Sequence, residues 1–248
     1  MKNEELPDDN SSFLIPHSSF LSMVDYTGPL AATNTSRLRV AQGVVVLFHI
    51  TGFVGLAFSK DPAFFLRFTP LTLVLTAGLL VAFQPGRGLG FWGFCLAVML
   101  LGFVAEVVGV NTGLVFGHYT YGATLGPKLL DMPPVVGVPP LIGLNWLVLT
   151  YVCGILARYL PLPELPRTLL AAGLMVGLDL CLEPVASRYD FWHWSANIIP
   201  RQNFRDWLIF AVLLQMLFNR ARFEKANPLA PLVYLAQLLF FFLLGTLR

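Results

Sequence analysis

Four acidic side chains stand where acids are costly or crowded. Glu106 lies near the end of a long apolar run, Asp179 and Glu183 sit four residues apart in another, and Asp190 falls in the polar stretch just beyond. At i and i+4, Asp179 and Glu183 share one helix face about a turn apart. Ionised together at that distance they repel, so in a low-dielectric site one of the pair tends to hold a proton. An acid beside a base is what proton-transfer chemistry requires. A carboxylate inside membrane-type sequence must face a polar cavity, find a partner or stay protonated, and each option leans toward function. Donors and rings surround these acids in the chain. Asn111, His118, Tyr119 and Tyr121 follow Glu106; Trp192, His193, Trp194 and Asn203 follow Asp190; His49 lies near the middle of the first apolar run. Each has a plainer explanation. The helical acids could make an interhelical hydrogen bond or an ion pair with Arg188, His49 could be a satisfied core residue, His118 and His193 could be merely solvated, and the Tyr and Trp rings could form an interfacial aromatic belt.

Other chemistries find little support. The four histidines, His17, His49, His118 and His193, show no metal-site spacing, and no cysteine pair exists, so no metal is expected. Asp179-x3-Glu183 is half of what a magnesium-dependent prenyl transferase needs, and a second acidic motif is missing. Neither a G-x-S-x-G elbow nor a phosphate-binding loop occurs. Every lysine falls in a loop or the tail, which leaves no intramembrane amine for a retinal Schiff base. Nucleic acid is not an expected partner: the formal charge is only +2, with no basic block.

The elements that must position these residues are transmembrane helices. The chain is 56% hydrophobic and only 12% charged, against about 25% charged residues in soluble domains. A span needs about 20 apolar residues, which places helices near 38–58, 64–83, 91–110, 135–159, 165–186, 204–221 and 229–247. The fold class expected is all-α, a polytopic bundle of about seven spans with six or eight as alternatives. The sixth run is the weakest, because Arg205, Asp206, Arg220 and Arg222 must snorkel at its ends. Residues 1–36, rich in Asn, Ser, Asp, Glu and Pro, read as a disordered polar tail without a signal peptide, and 37–248 as one membrane domain. Lys and Arg divide nine against seven between the two faces, too evenly to orient the chain. In a seven-span chain the loops after spans 1, 3 and 5 open on one face. That parity draws Glu106, Asp179, Glu183 and the two aromatic loops together. Gly109, Gly113 and Gly117, and Gly173 with Gly177, are expected to permit close backbone approach.

Four segments carry a resemblance. The run from Glu106 to Gly122 (EVVGVNTGLVFGHYTYG), Val138 to Trp146 (VPPLIGLNW), Leu178 to Ala186 (LDLCLEPVA), and Trp192 to Trp194 followed by Ile199 to Trp207 (IPRQNFRDW) together resemble a family of bacterial and archaeal carotenoid biosynthesis membrane proteins. The resemblance runs from about residue 38 to the C-terminus. Characterised members are carotenoid 1,2-hydratases, which implies water added across the terminal C1,C2 double bond of an acyclic ψ end group, as in γ-carotene or lycopene. No cofactor is required. The implied setting is the bacterial cytoplasmic membrane, with a lipophilic polyene as substrate, membrane lipid around the bundle and other carotenoid-pathway enzymes as candidate partners. No catalytic roles are carried over from the family. This sequence offers Asp179 and Glu183 as proton donor, Glu106 or Asp190, with His118 or His193, to orient and deprotonate water, and Tyr119, Tyr121, Trp192 or Trp194 to face a tertiary cation. A carotenoid cyclase or prenyl transferase, or a proton-coupled transporter, are the competing functions.

Overall fold

The computed structural model describes residues 35–129, 131–132 and 136–247. The tail read over residues 1–36 lies outside this set except for Thr35 and Ser36, which open the first helix; His17 also lies outside it. The helices are α1 (Thr35–Phe58), α2 (Pro62–Leu66), α3 (Thr69–Ala82), α4 (Leu89–Thr112), α5 (Leu141–Leu156), α6 (Glu164–Ala186), α7 (Arg201–Arg220) and α8 (Ala230–Thr246). Among the described residues, five segments are long and apolar enough to cross a bilayer: α1, α2 with α3, α4, α5 with its extension to Tyr159, and α6. The protein is an all-α integral membrane protein. Helices also occupy the two remaining apolar runs, as α7, which carries Arg201, Arg205, Asp206 and Arg220, and the 17-residue α8.

Prolines move two boundaries from where apolarity alone puts them. Pro139 and Pro140 disfavour helical backbone before them, so α5 starts at Leu141 and not at 135. The second span is two helices with a turn at Arg67 and Phe68, because Pro70 has no N–H to continue the ladder back to Leu66. Helix α5 is buried on nearly all sides from Trp146 to Ile155 and touches α3, α4, α6, α7 and α8, as expected of a helix that is apolar all round. It is the axis of the bundle, while α1 packs against α8 and α2. The close approach expected at Gly173 is absent, since that position faces open space, whereas Gly177 lies beside the Tyr234 hydroxyl.

A small sheet, not expected from the sequence, joins the two polar loops. Strands β1 (Tyr119–Tyr121) and β2 (Trp192–Trp194) pair antiparallel, with Tyr119 opposite Trp194 and Tyr121 opposite Trp192. Alternation along a strand sends Tyr119, Tyr121, Trp192 and Trp194 inward and leaves Thr120 and His193 outside. The far end of the bundle is tied by a different polar network. There Asn227 donates to the Leu80 carbonyl at 2.8 Å, and Tyr151 donates to Gln84.

Candidate active site

Three acids from two helices meet beneath the ribbon. Glu106 of α4 is 3% exposed, Asp179 and Glu183 of α6 are 0% and 4% exposed. Among the described residues no cation pairs with them; Arg188 instead donates to the Leu244 and Leu247 carbonyls. Neutral donors satisfy the two glutamates. Glu106 Oε2 accepts from the hydroxyls of Tyr119 and Tyr121, the latter at 2.7 Å, and its Oε1 accepts from Trp146 Nε1 at 2.8 Å. Glu183 mirrors this arrangement. Its Oε2 accepts from Trp194 Nε1 at 2.7 Å and Trp192 Nε1 at 3.3 Å, and its Oε1 from Asn203 Nδ2 at 2.9 Å. A carboxylate offers about four lone-pair positions, so each glutamate keeps one for something else.

The local sequence explains how the donors reach their acceptors. A Cβ on Gly109 would stand 2.9 Å from the Tyr119 hydroxyl and 2.8 Å from the Val115 carbonyl, so only glycine lets the returning loop press on α4 one turn beyond Glu106. Gly102, one turn before Glu106, makes the same room for the Trp146 indole. Trp146 is itself stacked on Trp207, ring centroids 4.0 Å apart. Phe116 is held at φ 65°, in the left-handed region, with its N–H donating to Asp206 Oδ2 at 3.0 Å and its buried ring beside Trp146 and Trp207. Burial, and next the adjacent Glu106 charge, push the Tyr119 and Tyr121 phenols well above their usual range, so both remain O–H donors.

Two cavities adjoin this cluster. A polar one of about 20 Å³ is lined by Glu106, Glu183, Tyr119, Tyr121, Asn203 and the rings around them. That is room for about one water molecule. An apolar one of about 460 Å³ runs between α1, α3, α6 and α8, walled by residues such as Leu56, Leu73, Leu182 and Phe241. Ile142, Asn145 and Trp192 line both. The apolar cavity also reaches Leu47, Phe64 and Phe68, which are 61%, 48% and 43% exposed, so it opens sideways toward lipid.

The structure therefore gathers Glu106, Asp179, Glu183, Tyr119, Tyr121, Trp192, Trp194 and Asn203. Asp179 is the deepest: Asn203 Nδ2 reaches its Oδ2 at 3.4 Å, its Oδ1 has no partner among the described residues, and it lines neither cavity. His49 stands apart in the wall of the apolar cavity, its Nδ1 bonded to the Val45 carbonyl at 2.8 Å. Four candidates are turned away. Asp190, at φ 56°, accepts from Ala123 N–H at 2.7 Å and pairs with His193 Nε2 at 2.7 Å on the outer surface, where the two side chains are 49% and 44% exposed. His193 takes the outward position of its strand, His118 is exposed, and Asn111 staples α4 to residue Val136. Asp190 is held below the usual carboxylate range, first by His193 and then by the Ala123 N–H. Trp146, Trp207, Phe116 and Asn145 are site residues that the sequence reading passed over. Asn145 and Trp146 stand inside an apolar run, and only the polarity of the first hinted at them. Among the described residues no three His, Cys, Asp or Glu side chains converge as metal ligands would.

Comparison with known proteins places the chain in a family. A family model described as carotenoid biosynthesis protein matches residues 68–247. The chain is also 30% identical over 205 residues to the bisanhydrobacterioruberin hydratase of Haloarcula japonica, a match covering 74% of this chain and 66%, just under two thirds, of that relative. No solved structure matches it. With the family model covering both wings of the site and every helix from α3 onward, the chain belongs to the carotenoid biosynthesis protein family.

Proposed function

We propose that this protein is a carotenoid hydratase, adding water across the terminal C1,C2 double bond of an acyclic ψ end group. One observation carries the reading: two buried glutamates face a water-sized polar cavity that abuts an apolar cavity opening toward lipid. Hydration needs a proton delivered to C2, a tertiary cation tolerated at C1, and a water that attacks C1 and loses its own proton. A polyene entering between α1 and α3 brings its tip against Trp192, Ile142 and Asn145. The cavity is within the usual size of small-molecule sites, so it holds the end group and leaves the remaining chain toward the bilayer.

Glu183 is the better proton donor of the helical pair. It lines the polar cavity, and its neighbours Leu182 and Trp192 line the apolar one. Asp179 sits behind it, linked through Asn203, and acts on Glu183 rather than on substrate. Glu106, gripped by three donors, orients the water from the opposite wall and takes its proton. A proton then returns from Glu106 to Glu183 through the next water to enter, and the cycle closes without a redox change. The indole of Trp192 faces the developing cation, a contact worth about 2 kcal/mol when desolvated. The name of the Haloarcula japonica relative, a hydratase, supports the reaction class. The test is expression in bacteria that accumulate lycopene or γ-carotene. A pigment heavier by one water is expected; unchanged pigment in cells whose membranes contain the protein refutes the proposal, and a cyclised pigment of unchanged mass replaces it with cyclase activity.

A further inference from the structure

Three residues separate the two cavities, and only one of them has hydrogen-bonding capacity to spare. Ile142 is apolar, and the Trp192 N–H is committed to Glu183. Asn145 projects from α5 at the junction, yet its side-chain amide bonds to no other described residue. It is the residue before Trp146, whose indole holds Glu106. A half-buried amide whose donor and acceptor are uncommitted among the described residues, in the wall of a one-water cavity, has the groups needed to hold a water molecule.

We infer that Asn145 holds the nucleophilic water between itself and Glu106 and so commits the C1 cation to hydration. The inference rests on the hydratase reading above. With one O–H donated to Glu106 and the other to Asn145 Oδ1, the water turns its lone pair toward the apolar cavity, where C1 lies. The C1–O bond forms with that lone pair, and the proton released goes to Glu106. An untrapped cation has two other exits. It loses a proton from C2 or from a C1 methyl group, regenerating an alkene, or C1 bonds to C6 of the next double bond and a proton leaves the carbon beside C5, giving a ring at unchanged mass. Asn145 thus decides among products that share one cation.

The experiment is product partition in D2O, using membranes carrying the full-length protein and lycopene as the probe. Asn145→Leu keeps the side-chain size and removes both hydrogen-bonding groups. Hydrated product is expected to fall about tenfold or more, the scale of a lost positioning hydrogen bond. Deuterium in recovered carotenoid, or in a cyclised isomer, persists or rises. Asn145→Asp retains an acceptor and is expected to keep most of the wild-type partition. If hydration and deuterium uptake fall in proportion in Asn145→Leu, or the partition stays unchanged, the assignment is overturned. Asn145→Ala carries the same measurement should the leucine variant fail to accumulate. A wild-type protein giving no hydrated product refutes the hydratase reading itself, independently of Asn145.

Discussion

Replacing Glu183 by Gln separates chemistry from architecture at the centre of the site. Both oxygens of Glu183 face donors: the indoles of Trp192 and Trp194 meet Oε2, and Asn203 Nδ2 meets Oε1. A glutamine amide must therefore turn its NH2 toward one of them. The cheaper choice is Asn203, which can flip its own amide and present Oδ1, at the cost of its 3.4 Å reach to Asp179. The structural penalty is then about one interhelical hydrogen bond, ~0.6 kcal/mol and at most ~1.7. Loss of a general acid costs about 10²–10⁴ in rate, or ~3–5 kcal/mol of barrier. Activity should collapse while the protein still accumulates and melts within a few degrees of wild type. Asp179→Asn should do less, because Asp179 lines neither cavity and an asparagine can keep the bond to Asn203. The assay is initial hydration rate per folded protein in membranes, with detergent melting as the control. If Asp179→Asn loses more rate than Glu183→Gln, or Glu183→Gln keeps more than a tenth of the activity, the roles given to these acids are wrong.

Filling the apolar cavity should block binding without touching the acids. Thr76→Phe, at a buried position of α3 in its wall, is expected to abolish carotenoid retention by purified protein; undiminished retention would show that the polyene lies elsewhere. The outer Asp190–His193 pair should behave as an acid-labile clasp. Because Asp190 is depressed in the folded protein, its stabilisation is complete above its unfolded pKa of about 3.9 and disappears as pH falls through the lower folded value. Hydrogen exchange around residues 118–124 should accelerate below about pH 4 in wild type and show no such acid step in Asp190→Asn. An identical acid step in the variant would refute the clasp.

The reach of the sequence differed by element. Helix positions and the convergence of Glu106, Asp179 and Glu183 on one end followed from apolar run lengths and loop parity. Helical spacing also placed Asp179 and Glu183 on one face, but a rise of about 6 Å between them sets Asp179 below the cavity floor, which periodicity does not convey. The inward turn of Tyr119, Tyr121, Trp192 and Trp194 depends on strand alternation in runs of three residues. The Tyr-x-Tyr and Trp-x-Trp spacings were its only trace. Asp190 looked like its fellow acids; a left-handed backbone and the neighbouring imidazole, neither visible in composition, direct it outward. Trp146 and Asn145 were hidden because their partner Glu106 and their cavities belong to segments distant in the chain.

The turn between α5 and α6 divides the site's parts by order of synthesis. Glu106, Tyr119, Tyr121, Asn145 and Trp146 precede Pro161; Asp179, Glu183, Trp192, Trp194, Asn203 and Trp207 follow it. The first portion carries all three donors to Glu106, so they emerge from the ribosome before the second portion does. The second portion likewise carries every donor to Glu183. Each half can therefore bring its carboxylate into the bilayer with its partners encoded alongside. The water-sized chamber exists only once the halves close on one another through the three-residue ribbon and the Trp146–Trp207 stack. The chamber thus belongs to neither half alone, since each half supplies one of its two glutamates.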